Sequence, residues 1–101
     1  MSHTGNFQAG MLYTTPGAWN DMREAGNPYR IAEELLSRHR AGDWGDLSPE
    51  DKLANERALE DGSRILSAYV LDTGARIWAI TEAKDDEGRR SATTLLLPGE
   101  Y

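Results

Sequence analysis

His39, Asp43 and Asp46 fall within eight residues of one another in the stretch Arg38-His39-Arg40-Ala41-Gly42-Asp43-Trp44-Gly45-Asp46. An imidazole, a carboxylate and a hydroxyl such as Ser67 or Thr81 are the parts of a hydrolytic relay: the ring takes the hydroxyl proton and the carboxylate holds the ring. Glu82 and Asp43 would make an acid–base pair. Such residue types occur in every soluble domain, however, and no G-x-S-x-G elbow marks either hydroxyl as a nucleophile. His3 and His39 are the two histidines, without H-E-x-x-H spacing and in a chain without cysteine, so no zinc site is expected. Asp43 and Asp46 flank glycine but lack the remaining oxygen ligands of a calcium loop. No phosphate-cradling glycine motif is present. The chain is therefore read as carrying no metal and no cofactor; whether it is an enzyme is left open, with the non-enzymatic reading leading.

Bulk properties narrow the classes further. The 101 residues fit one domain with one modest core. A net charge of −6 argues against direct nucleic-acid binding. No apolar run reaches the ~18–20 residues of a membrane span. Met1–Gln8 lacks the basic and apolar regions of a signal peptide, so a cytoplasmic location is expected. Residues 1–10 read as a flexible tail and residues 11–101 as a single domain.

The elements follow from caps and periodicity. Met11-Leu12-Tyr13-Thr14 is a short β-prone run. Thr15-Pro16, Asn27-Pro28 and Ser48-Pro49 each place a capping side chain before proline at the first helical position, where its missing N–H costs nothing. They predict helices over residues 16–25, 28–40 and 49–61, with glycines 26, 42 and 62 as stops. Ile31, Leu35, Leu36 and His39 share a face of the second helix, and Leu53, Ala54, Ala58 and Leu59 are expected to be the buried side of the third. From Ile65 the period changes to two, predicting strands over 65–71, 76–81 and 91–97. Short connections make these an antiparallel meander. The fold class is α+β: an N-terminal strand, three helices, then a three-stranded antiparallel meander packed on them. Apolar residues on both strand faces imply that something besides the helices covers the second face.

Thr14-Thr15-Pro16-Gly17-Ala18, Arg38-His39-Arg40-Ala41-Gly42-Asp43-Trp44-Gly45-Asp46, Asp51…Asn55…Ala58-Leu59, Gly62-Ser63-Arg64-Ile65-Leu66-Ser67-Ala68-Tyr69, Trp78-Ala79-Ile80-Thr81-Glu82-Ala83 and Thr93-Thr94-Leu95-Leu96-Leu97-Pro98-Gly99-Glu100-Tyr101 occur in that order. Over residues 11–101 this resembles a family of small bacterial proteins of plasmids and other mobile elements, labelled plasmid-related protein. The resemblance implies no particular activity. The chain departs from that pattern where residues 84–91 lengthen a turn and where Gly99 replaces a glutamate.

His39, Asp43, Trp44, Asp46, Asn55 and Glu82 are the candidate functional residues. Trp44 is either the anchor of its Gly/Asp-rich corner or a side chain offered to a partner. Trp78 is expected between sheet and helices, and His39 at a helix end bonded to the following loop. Asn55 is a mediocre helix former in mid-helix, facing solvent, the tryptophan corner or a partner. Glu82 is expected to accept a local hydrogen bond or to pair with Arg64 or Arg76. The leading function is an acidic interaction or regulatory protein with an unknown protein partner. One version has Asp43, Asp46, Glu50, Asp51, Glu56, Glu60 and Asp61 imitating phosphate spacing. A small enzyme or ligand-binding domain with a site near His39, Asp43 and Glu82 is the alternative. Oligomeric state is left open.

Overall fold

The computed structural model describes residues 6–101. In chain order the elements are β1 (Met11–Thr14), α1 (Pro16–Glu24), α2 (Pro28–Arg40), α3 (Pro49–Asp61), β2 (Ile65–Val70), β3 (Arg76–Thr81), β4 (Ala92–Leu96) and a 3-10 turn, Pro98–Glu100. Each helix starts as its cap dictates. The Thr15 hydroxyl accepts from the Ala18 N–H, the Asn27 amide oxygen from Tyr29 and Arg30, and the Ser48 hydroxyl from Asp51.

The fold is α+β, and its four strands form one mixed sheet in the order β1-β4-β3-β2. β2, β3 and β4 make the antiparallel meander, while β1 adds alongside β4 in parallel. Tyr69, Ile77, Ala79 and Leu95 point from one sheet face into a core completed by Ala18 and Met22 of α1 and Leu35 and Leu36 of α2. Alternation puts Trp78 on the opposite face. It does not fill the space between sheet and helices; it stands half-buried, edge-on to the Tyr101 ring at 6.0 Å, with the Arg64 guanidinium 4.8 Å above that ring. The chain end thus partly covers the second face.

α3 departs from expectation in its rotation. Leu53 is 50% exposed and Ala54 is exposed, whereas Asn55 and Ala58 are buried and Leu59 half-buried. The cause is position: α3 lies along the β2 edge, so the stripe it presents must satisfy backbone groups as well as cover apolar surface. Of the expected tail, residues 1–5 lie outside the described residues. Phe7 donates its N–H to the Arg40 carbonyl at 3.1 Å, and Ala9 is buried.

Candidate functional site

The structure gathers His39, Ser67, Thr81 and Thr93, all fully buried, between α2 and the sheet. β2, β3 and β4 pair Thr81 with Thr93 and place Ser67 on the same face, so α2 need only lower one imidazole onto them. The ring's Nδ1 lies 2.5 Å from Ser67 Oγ and its Nε2 2.8 Å from Thr81 Oγ1. Thr81 Oγ1 lies 2.6 Å from Thr93 Oγ1, and the Thr93 hydroxyl donates to the Ala9 carbonyl at 2.8 Å.

That last bond sets every proton in the chain of contacts. Because Thr93 donates to a carbonyl, it must accept from Thr81. Thr81 must then accept from Nε2–H, which leaves Nδ1 to accept from Ser67. His39 is the Nε2–H tautomer. Burial disfavours the imidazolium and lowers its pKa to about 4, with the Arg90 charge adding to the effect. Ser67 thus meets a base with nucleophile–base geometry, but no carboxylate holds the other ring nitrogen and no surface reaches the pair. Phe7 packs edge-on over the ring at 5.1 Å and Trp44 lies at 6.1 Å. His39 is bonded to the sheet, not to the loop after α2, and the cluster is a satisfied polar core.

The remaining candidates do not converge on it. Asp43 is exposed and accepts from Arg38 Nε at 2.7 Å; that bond is the main reason its pKa is lowered. Asp46 accepts from Arg76 at 3.0 Å. Glu82 is exposed, follows the inward-pointing Thr81 in the chain, and pairs with neither Arg64 nor Arg76; its backbone carbonyl accepts from Arg90 at 2.9 Å. Trp44 is 4% exposed, packs on Ala58 and Ile65, and donates Nε1–H to Glu56 at 2.9 Å. It is the anchor of its corner and not a surface contact. Four of the seven residues of the acidic run have local tasks: Asp43 and Asp46 hold arginines, Glu56 holds Trp44, and Asp61 accepts from the Ser63 N–H at 2.8 Å.

What the corner and Asn55 do is close one edge of the sheet. Gly45 bridges Ala68 in parallel: the Ala68 N–H donates to the Trp44 carbonyl at 3.1 Å, and the Asp46 N–H donates to the Ala68 carbonyl at 2.7 Å. This approach requires glycine, since φ is +76° and a Cβ at Gly45 would lie 2.0 Å from the Ala68 oxygen. Two residues back along β2, Asn55 pairs with both backbone groups of Leu66, accepting its N–H at 3.2 Å and donating to its carbonyl at 2.7 Å. One side-chain amide stands in for a neighbouring strand. Arg90, 5% exposed, ties in the C-terminal end of the same helix by donating to the carbonyls of Ala58, Ser63 and Glu82.

The other edge is open. Met11 and Thr15 donate their N–H groups to Ser91 and Leu95 of the β4 side, so the period of two turns the N–H and C=O groups of Leu12 and Thr14 outward. Met11, Leu12 and Tyr13 are 63%, 52% and 55% exposed, and the strand carries no charge, proline or bulge. On the helix side Leu12 borders a groove of about 330 Å³ with Trp19, Tyr29, Ala32 and Leu36, rimmed by Glu33 and Arg40. Tyr29 is 75% exposed and meets Trp19 edge-on at 4.8 Å. Sequence reasoning placed the strand but did not single out Tyr13 or Tyr29; an uncharged M-L-Y-T run at the start of the chain was the available signal.

No group of three or more metal-ligating side chains occurs among the described residues, and no helix among them is long and apolar enough to cross a membrane. Compared with family models, with curated proteins and with solved structures, the chain matches none.

Proposed function

We propose that this chain is a non-enzymatic interaction protein that takes up an extended protein segment along β1. The observation that carries the reading is the contrast between the two sheet edges. β2 is closed by a glycine bridge and by Asn55, whereas β1 leaves the backbone groups of Leu12 and Thr14 open beneath exposed apolar side chains. A strand added there gains main-chain hydrogen bonds, and its alternate side chains enter the Leu12–Trp19–Tyr29 groove. The groups suited to catalysis support no second reading: His39 and Ser67 are sealed in the core, while Asp43 and Glu82 lie outside it. In the setting that the sequence resemblance implies, the protein would act as a regulator encoded by a bacterial plasmid or mobile element, working in the cytoplasm and without contacting nucleic acid itself.

The test is affinity capture from the native host with the full chain and with Thr14→Pro as baits. Proline at this position removes an outward N–H and leaves the β4 ladder intact. Loss of captured protein with an unchanged melting temperature is expected. Equal capture by both baits would sink the reading.

A further inference from the structure

We propose that the segment added at β1 is β1 of a second copy of the chain, giving a two-fold dimer with one continuous eight-stranded sheet; this rests on the reading of β1 as the docking edge. The outward groups of the strand belong to Leu12 and Thr14, two residues apart, and this spacing is self-complementary. In an antiparallel pairing Leu12 exchanges both backbone hydrogen bonds with Thr14 of the second copy, and Thr14 does the same with Leu12. The two-fold axis then passes between the two Tyr13 residues. They face each other as a non-hydrogen-bonded pair, about 4.5 Å apart at Cα, where side chains are closest. Tyr13 points away from the helices, on the face opposite Leu12, so the two rings meet over the sheet without displacing α1 or α2.

Charge points to the same occupant. The chain carries −6 overall, which opposes self-association at most of its surface. β1 is uncharged, and the groove beside it holds one carboxylate and one guanidinium, Glu33 and Arg40. Neither is in an ion pair among the described residues. They lie seven residues apart on α2, roughly 10 Å along the helix. A two-fold axis at Tyr13 runs the second α2 antiparallel to the first, so the order of Glu33 and Arg40 along the shared edge is reversed between the two copies. A neutral, antisymmetric patch on an acidic surface is what a second copy matches.

Sedimentation equilibrium on the full chain tests this, with Tyr13→Lys, Tyr13→Glu and their equimolar mixture. The wild type is expected to dimerise. At concentrations where the wild type is monomeric each variant should keep the wild-type melting temperature, because the side chain is exposed, yet each should raise the dimer dissociation constant about tenfold or more by placing like charges face to face. The mixture should restore association, since the axis at residue 13 sets Lys against Glu. A wild type that stays monomeric at every concentration, a Tyr13→Lys variant that dimerises like wild type, or a mixture that fails to recover each overturns the proposal. The two readings fail separately. A monomeric wild type whose Thr14→Pro variant still loses a captured protein of different sequence overturns the second-copy assignment alone. Monomer together with equal capture by both baits overturns strand addition as well.

Discussion

Replacing Asn55 tests how the sheet is closed at β2. In Asn55→Ala the Leu66 N–H and C=O lose both partners, at 3.2 and 2.7 Å, under a helix that keeps water partly away. Leaving a buried backbone group unsatisfied costs about 1–3 kcal/mol, and the half-buried setting of Leu66 favours the lower part of that range. The pair should therefore cost about 2–4 kcal/mol. For a domain of this size that lowers the melting temperature by roughly 10–20 °C. Urea unfolding gives the free energy directly. Asn55→Asp adds a check that packing cannot imitate. Its carboxylate can accept the Leu66 N–H but faces the Leu66 carbonyl with a second acceptor, and a proton on that oxygen restores the missing donor. The folded state therefore holds the proton more tightly than the unfolded chain, and the stability of this variant should rise as pH falls into the acid range, relative to Asn55→Ala. A loss below about 0.5 kcal/mol in Asn55→Ala, within the range of an ordinary surface change, or parallel pH curves for the two variants, would refute the reasoning.

Other perturbations have equally definite outcomes. Since His39 titrates near 6.5 unfolded and about 4 folded, its contribution is complete above pH 6.5. As pH falls toward about 4 the unfolded chain takes up the proton first, and about 3 kcal/mol is lost. His39→Gln should flatten that window in denaturation curves measured against pH, and imidazole nitrogen chemical shifts should report the Nε2–H tautomer. Arg90→Met strips donors from three carbonyls and should cost about 2–4 kcal/mol in urea unfolding, with amide exchange rising first at the end of α3. Gly45→Ala combines a left-handed backbone with a Cβ 2.0 Å from the Ala68 oxygen, and should cost roughly 3 kcal/mol or more by the same assay.

Much of the fold was legible because its signals are local. Three Ser/Thr/Asn–Pro caps and the change of period at Ile65 place the helices and the meander within a residue or two of their observed bounds. What was not legible depends on where an element docks. The apolar pattern of α3 pointed to Leu53 and Ala54, but a helix lying along a sheet edge buries an amide instead, and the sequence does not say which helix meets an edge. Trp78 fits either face of a strand that is apolar on both. The parallel partnership of β1 with β4 joins segments some eighty residues apart, beyond any local pattern. For the candidate site, the residue types were right and the grouping was not. His39 does meet Ser67 and Thr81, but Asp43 and Asp46 are held outside by arginines that spacing cannot show, and Glu82, next to the inward-pointing Thr81, is exposed.

The exchange rates of the Leu12 and Thr14 backbone amides test the central claim most directly, because these two N–H groups alternate with the Met11 and Thr15 amides, which β4 holds. In concentrated wild-type protein the account predicts slow exchange at all four positions. On dilution, or in Tyr13→Lys, Leu12 and Thr14 should become fast while Met11 and Thr15 stay slow. Fast exchange at Leu12 and Thr14 at every concentration, with or without captured protein, would show that nothing pairs with this edge and would contradict the account.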